Sequence, residues 1–317
     1  MSNNTANSST EVVQDMCPYP YVDLHSHLQF EDFDGDRESI IAEMKEKNVI
    51  TINIGTTLET SVAGLDLALR YSDTCYATLG LHPVYADESG LDELEKFSDT
   101  LKKTVQDEKS RTHMVGIGEC GMDFFRVKKD DSKEDGILET GDNVENAEVK
   151  HFPIQEKVFE RQIQLAQEYN LPLMIHVRDS YQKTLSILSK YFNTGEVKYR
   201  GNAHFFVGSM EEAQAFLDLG FSISFTGVIT FVPVYEELVR FVPLERMFAE
   251  TDSPYVSPKP YRGKKNTPVH VIEIYKKIAE IKGVSLSVVR ETLYKNACRY
   301  WLKGRNIDNF DSYSPVR

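Results

Sequence analysis

The sequence predicts an α/β fold, a single-domain (β/α)8 TIM barrel, and three observations predict it. Eight short β-rich runs alternate with amphipathic helical stretches from one end of the chain to the other. The length of 317 residues suits a barrel of about 250 residues with tails and an insertion. Residue types that hold metals recur near the C-terminal ends of those runs, the face on which barrels build their sites. A doubly wound open sheet is the competing arrangement of the same units.

The first 17 residues are rich in Ser, Thr and Asn and read as a flexible tail. The barrel is expected over 18–303, and its strands are placed at 21–28, 49–56, 75–82, 113–124, 171–177, 201–207, 221–229 and 247–252. Helices fall where apolar residues recur three and four apart. Examples are RESIIAEMKEKN after the first run, LETSVAGLDLALRYS after the second and LDELEKFSDTLKKTVQDE after the third. IQEKVFERQIQLAQEYN follows the fourth and SMEEAQAFLDLG the sixth. Residues 127–150, ahead of a helix beginning near Pro153, are polar and acidic and read as a solvated insertion at the strand-end face. Residues 304–317 read as a C-terminal tail.

Composition excludes several functions. Charged residues make up 27% of the chain, and no apolar run approaches the roughly 18 residues a membrane span needs. No membrane partner is expected. The N-terminus has neither a basic nor an apolar signal region, so the expected compartment is the cytoplasm or the nucleus. Cys17, Cys75, Cys120 and Cys298 show no C-x-x-C spacing and read as reduced thiols. A formal net charge of -13 argues against broad attraction to nucleic acid, whose sequence-independent binding comes from Lys and Arg. A polyanionic substrate must then be met by local positive charge or by metal ions. A monomer is the default expectation.

The first run reads Asp23-Leu24-His25-Ser26-His27. Strand side chains alternate, so Asp23, His25 and His27 are expected on one face, where two imidazoles two residues apart reach one metal ion. Alone, an H-x-H fits polar residues at a strand end equally well. Other strand ends strengthen it: Glu119 ends the fourth strand in Gly116-Ile117-Gly118-Glu119, His176 ends the fifth, His204 lies in the sixth and Asp252 ends the eighth. His82 also falls near a strand end, whereas His113, His151 and His270 have no such setting and read as structural. Four imidazoles and two carboxylates exceed what one divalent ion needs, so a binuclear site follows. These donors admit two divalent ions, Mg, Mn or Zn. A metal pair that ionises water at neutral pH and stabilises a leaving oxygen is hydrolase chemistry.

Several motifs carry a resemblance. They are Asp23-Leu24-His25-Ser26-His27, Gly80-Leu81-His82-Pro83, Gly118-Glu119-Cys120-Gly121-Met122-Asp123, Pro172-Leu173-Met174-Ile175-His176-Val177-Arg178, His204-Phe205-Phe206-Val207-Gly208 and Glu250-Thr251-Asp252-Ser253-Pro254-Tyr255. The stretch from Pro260 through Tyr261, Arg262, Gly263, Lys264, Lys265, Asn266 and Thr267 to Pro268 joins them. In this order they resemble the TatD family of metal-dependent deoxyribonucleases, within the amidohydrolase superfamily of barrels. The resemblance implies that His25, His27, Glu119 and Asp252 hold one ion, that Glu119, His176 and His204 hold the other, and that Asp252 orients or deprotonates the attacking water. It also implies a 3′ to 5′ exonuclease acting on single-stranded DNA or 3′ ends. The chain departs from the family's pattern at Cys120, Met122 and Phe205, none a ligand position, and in the long acidic insertion.

Substrate contacts are expected from His82, Arg178 and the basic segment Lys259, Arg262, Lys264 and Lys265, set against an otherwise acidic chain. The plainer alternatives are a solvated loop and, for Arg178, a salt bridge to Asp179 or Glu156. Tyr255, Tyr261 and Phe124 are candidates for stacking on bases, or for barrel packing. Asp123 and Glu250 share strand faces with candidate ligands and read as groups that orient a His or Arg. Two other functions stay open: hydrolysis of a small ester or amide at the same metals, and a metal-binding scaffold without turnover.

Overall fold

The computed structural model describes residues 17–86, 88–125, 144–192 and 199–302, with the side chains of 88–91 and 144–152 left undescribed. Eight parallel strands form one sheet in the order β1 to β8. They are β1 (Tyr21–Ser26), β2 (Val49–Ile54), β3 (Cys75–Leu79), β4 (Met114–Asp123), β5 (Leu173–Arg178), β6 (Gly201–Ala203), β7 (Phe221–Phe225) and β8 (Met247–Ala249). The sheet curls until its edges meet. A Ser26 to Ser253 bridge, with Asp252 N donating to His25 O at 2.9 Å and His27 N to Ser253 O at 2.8 Å, joins the end of β1 to the segment after β8. The chain is a (β/α)8 barrel.

Helices pack outside: α1 (Arg37–Glu46), α2 (Leu58–Arg70), α3 (Glu88–Gln106), α4 (Glu108–His113), α5 (Val144–Tyr169), α6 (Tyr181–Tyr191), α7 (Met210–Asp218), α8 (Glu236–Phe241), α9 (Val271–Lys282) and α10 (Leu286–Tyr300). Capping boxes start two of them, where Thr57 pairs with Thr60 and Ser209 with Glu212, and α9 stops at Gly283 in the left-handed conformation. One large apolar cluster lies between sheet and helices. A second joins Val22, Leu24, Ile52, Met174 and Phe248 to Tyr294 and Trp301 at the other end of the chain. Among the described residues no helix is long and apolar enough to cross a membrane.

All eight expected strands are present, but most end early. β6 stops at Ala203 and β8 at Ala249, so His204 and Asp252 stand in the loops just beyond, whereas β4 runs on to Asp123, so that Glu119 lies within the strand and not at its end. The helix expected near Pro153 starts at Val144, and the last residues of the acidic stretch 127–150 are its first turns. A proline removes one backbone donor, and here the helix runs through it. The rest of that stretch, the tail ahead of Cys17 and residues 304–317 lie outside the described residues.

Candidate metal centre

Two strands change register where they deliver candidate ligands. On β1 the pairing with β2 runs Asp23 to Thr51 and then Ser26 to Asn53, one extra residue on the β1 side. On β4 the pairing with β5 runs Ile117 to Leu173 and then Cys120 to Ile175, again one extra. Such irregularities re-aim side chains, and His25 and Glu119 sit inside them. Gly118 permits the second. Its φ is +146°, and a Cβ there would lie 2.6 Å from both Cβ and the carbonyl oxygen of Met174.

The first irregularity corrects an expectation. Simple alternation does not carry from Asp23 to His25, and Asp23 does not join the imidazoles. Its carboxylate accepts from Thr251 N at 2.7 Å, Thr251 Oγ1 at 2.8 Å and Thr51 Oγ1 at 3.2 Å.

The remaining six residues do converge. Glu119 Oε2 faces His25 Nε2 at 3.5 Å and His27 Nε2 at 3.9 Å. Its Oε1 faces His176 Nδ1 at 2.7 Å and His204 Nε2 at 2.9 Å. One carboxylate thus divides its two oxygens between two imidazole pairs. Asp252, just past β8 with φ +52°, places Oδ1 3.5 Å from both His25 Nε2 and His27 Nε2. Among the described residues four groups could hold a cation: two share Glu119, His25 with His27 and Glu119, and Glu119 with His176 and His204, a third joins His25, His204 and Glu250, and the fourth is His82 with Asp123 and His176.

The back nitrogens set which ring atoms are bare. His27 Nδ1 donates to Ile54 O at 2.9 Å, leaving the Nε2 lone pair toward His25 Nε2, 3.1 Å away. His176 Nε2 donates to Asp123 Oδ2 at 3.0 Å, leaving Nδ1 bare. His204 Nδ1 lies 3.5 Å from Glu250 Oε1, and Glu250 is itself held by Phe205 N at 2.5 Å and Ser224 Oγ at 2.6 Å. His25 Nδ1 is buried with no hydrogen-bond partner. Inward lone pairs, a shared carboxylate and mixed nitrogen and oxygen donors fit a divalent-cation pair.

Electrostatics agree. Burial alone would raise Glu119, yet the His82, His204 and His176 imidazoles hold its carboxyl well below the usual range. Asp252 and Asp123 are likewise buried but held low, by His27 with His25 and by His176 respectively. Burial opposes charge on His204, yet the Glu119 and Glu250 carboxylates push it well up. The centre therefore presents ionised carboxylates that want positive charge.

His82 behaves differently. Its Nδ1 accepts from Val84 N at 3.1 Å, so its hydrogen sits on Nε2, 3.3 Å from Glu119 Oε1. Burial pushes its pKa down to about 4. It is a neutral donor at the edge of the centre, so its grouping with Asp123 and His176 lacks a lone pair from Nε2.

The other expected contacts are scattered around the strand-end loops. The Arg178 guanidinium lies over the Phe125 ring, 3.7 Å from its centroid. Glu156 is taken by Lys183 and Lys190 instead. Arg262 covers Phe231 at 4.0 Å and donates to Ser257 O at 3.2 Å. Tyr255 is 52% exposed, its ring 6.4 Å from that of His27. Lys259 and Lys264 are exposed, whereas Lys265 is engaged by Asp32 O and Asp36. Tyr261 stacks on His270 at 3.9 Å, and Phe124 packs against the core. The exposed aromatic there is Phe125, at 54%, because successive residues leaving a strand point to opposite sides.

Two anchors were not anticipated. On α5, Gln155 brackets Asp123 with bonds to its N and O, each 3.1 Å, and Gln162 brackets Leu81 at 2.9 and 3.0 Å. Two glutamines seven residues apart on an apolar helix face were the available signal.

A sequence profile described as TatD related DNase matches residues 22–302. The chain belongs to that family. The metal-dependent hydrolase YabD of Bacillus subtilis is 33% identical over 87% of this chain and 97% of its own length. The 3′-5′ ssDNA/RNA exonuclease TatD of Pantoea ananatis is 27% identical, covering 87% of this chain and 96% of its own. Among solved structures, the TatD homologue YjjV of Escherichia coli superposes with a TM-score of 0.73 at 25% identity, over 89% of this chain and 97% of that one. Membership in the TatD family makes this chain a metal-dependent hydrolase.

Proposed function

We propose that this TatD-family hydrolase is a deoxyribonuclease, removing nucleotides in the 3′ to 5′ direction from single-stranded DNA or 3′ ends. The observation that carries the reading is Glu119, whose two oxygens face two separate imidazole pairs. His25, His27, Glu119 and Asp252 would hold one divalent ion, and Glu119, His176 and His204 the other, with Mg, Mn or Zn as candidates. Bound there, such ions lower the pKa of water and stabilise charge on a phosphodiester oxygen. Asp252, ionised at neutral pH, takes the proton of the attacking water. His82 donates Nε2–H to a phosphate oxygen, and Arg178, Arg262 and Lys264 supply positive charge. Tyr255 offers a ring on which a terminal base can stack. The direction and substrate draw support from the name of the Pantoea relative.

The test is metal-titrated digestion of end-labelled single-stranded DNA by wild type, Glu119→Ala and Asp252→Asn. Release of mononucleotides from the 3′ end by wild type, lost in both variants, is the expected result. Variants that cut as fast as wild type would remove the nuclease reading. Turnover of small esters or amides without oligonucleotide cleavage would favour the small-substrate hydrolase, and metal binding without turnover a scaffold.

A further inference from the structure

We propose that Asp23 is a positioning residue for Asp252: together with Asn266 it clamps Thr251 and so sets the backbone from which the Asp252 carboxylate reaches His25 and His27. The inference rests on the metal-centre reading above. Asp252 occupies the left-handed region, φ +52°, which residues with side chains enter only where their surroundings hold them.

The surroundings here are specific. Thr251 N donates to Asp23 Oδ1 at 2.7 Å, and Thr251 Oγ1 donates to Asp23 Oδ2 at 2.8 Å. The same hydroxyl accepts from Ser253 N at 3.2 Å, so it spans Asp252 from one side to the other. On the opposite face Asn266 Nδ2 donates to Thr251 O at 2.9 Å and to Tyr255 O at 2.6 Å. Asp252 N is held by His25 O, and Ser253 O by His27 N. The backbone donors and acceptors on either side of Asp252 are thus accounted for, and the chain of bonds starts at Asp23.

Asp23 and Asn266 are both fully buried. Burying a carboxylate is costly unless its acceptors are filled, and Asp23 fills both oxygens with Thr251 and Thr51. Those bonds leave it no place among the ligands. Two residues farther along the same strand begins the H-x-H pair that Asp252 faces. One buried carboxylate therefore registers β1 against the segment after β8 at the point where both present donors to one cation.

Two disruptive variants and one conservative variant test this, read by Mn2+ binding, kinetics on a single-stranded oligonucleotide, and circular dichroism. Thr251→Val removes the hydroxyl and keeps the shape; Asp23→Asn keeps the volume and changes the acceptors. Both are expected to fold, to lose kcat by roughly tenfold to a hundredfold with KM within about twofold, and to weaken one of two Mn2+ equivalents by about tenfold or more. Thr251→Ser, which retains the hydroxyl, is expected to restore kcat and the Mn2+ isotherm. Folded Thr251→Val protein with the wild-type isotherm and kcat, or with lowered melting temperature as its sole change, would overturn the clamp. Wild type that binds no Mn2+ would instead sink the metal-centre reading on which it stands.

Discussion

The Asp123 carboxylate takes the Nε2 hydrogen of His176 at 3.0 Å, and the ring's other nitrogen stands 2.7 Å from Glu119. A carboxylate behind an imidazole fixes the tautomer and raises the basicity of the nitrogen in front. Asp123 is buried and receives Phe125 N at 2.8 Å on its second oxygen, so it cannot turn away.

Asp123→Asn is accordingly expected to weaken Mn2+ binding at one of the two positions by about tenfold to a hundredfold, leaving the fold intact. Equilibrium dialysis against Mn2+ measures it. An unchanged isotherm would mean that His176 does not need its carboxylate.

His82 is expected to act on substrate rather than on metal. His82→Ala should retain two Mn2+ equivalents while losing about a hundredfold in kcat/KM on oligonucleotides, the usual cost of one lost transition-state donor. Loss of a bound ion in this variant would make His82 a ligand and defeat the tautomer assignment.

Arg262 tests the basic loop. Its guanidinium lies over Phe231 at the strand-end face, and Arg262→Ala should weaken single-stranded DNA binding with about 0.7 less slope in log affinity against log salt. Metal content should not change. Equal slopes for variant and wild type would take the loop out of the substrate path.

The fold should lose stability in mild acid. Burial, chiefly, drives the His270 imidazole down to about 4 from an ordinary 6.5, with Lys264 adding to the shift and Glu273 opposing it. Between those values the unfolded chain binds a proton that the folded chain refuses, so this contribution is complete above pH 6.5 and disappears as pH falls toward 4. His270→Gln should flatten the decline of melting temperature over that window in chelator-treated protein. Parallel curves would show that another group governs the decline.

Much of this architecture was legible in the sequence, for identifiable reasons. The alternation of β-rich runs with amphipathic helices needs only local patterning, and it located all eight strands. Glu119, His176, His204 and Asp252 could be singled out because barrels gather chemistry at strand ends. Asp23 was misplaced because counting by twos assumes an unbroken register, and β1 breaks it between Asp23 and Ser26. For Phe124 the packing alternative holds, because the chain leaves β4 with Phe124 turned to the core and Phe125 to solvent. Lys265 looked like a phosphate contact, but its engagement by Asp36 joins positions far apart in the chain. Gln155 and Gln162 carry a signal in their seven-residue spacing on an apolar helix face, but that spacing does not say that their partners are the backbones of Asp123 and Leu81, 32 and 81 residues away.

Anomalous diffraction from crystals grown with Mn2+ would locate the ions at Glu119 outright. Two peaks are expected on either side of Glu119, one touched by His25, His27 and Asp252 and the other by His176 and His204. A map with no peak at Glu119, or with a single ion that leaves one imidazole pair unused, would contradict the two-ion centre.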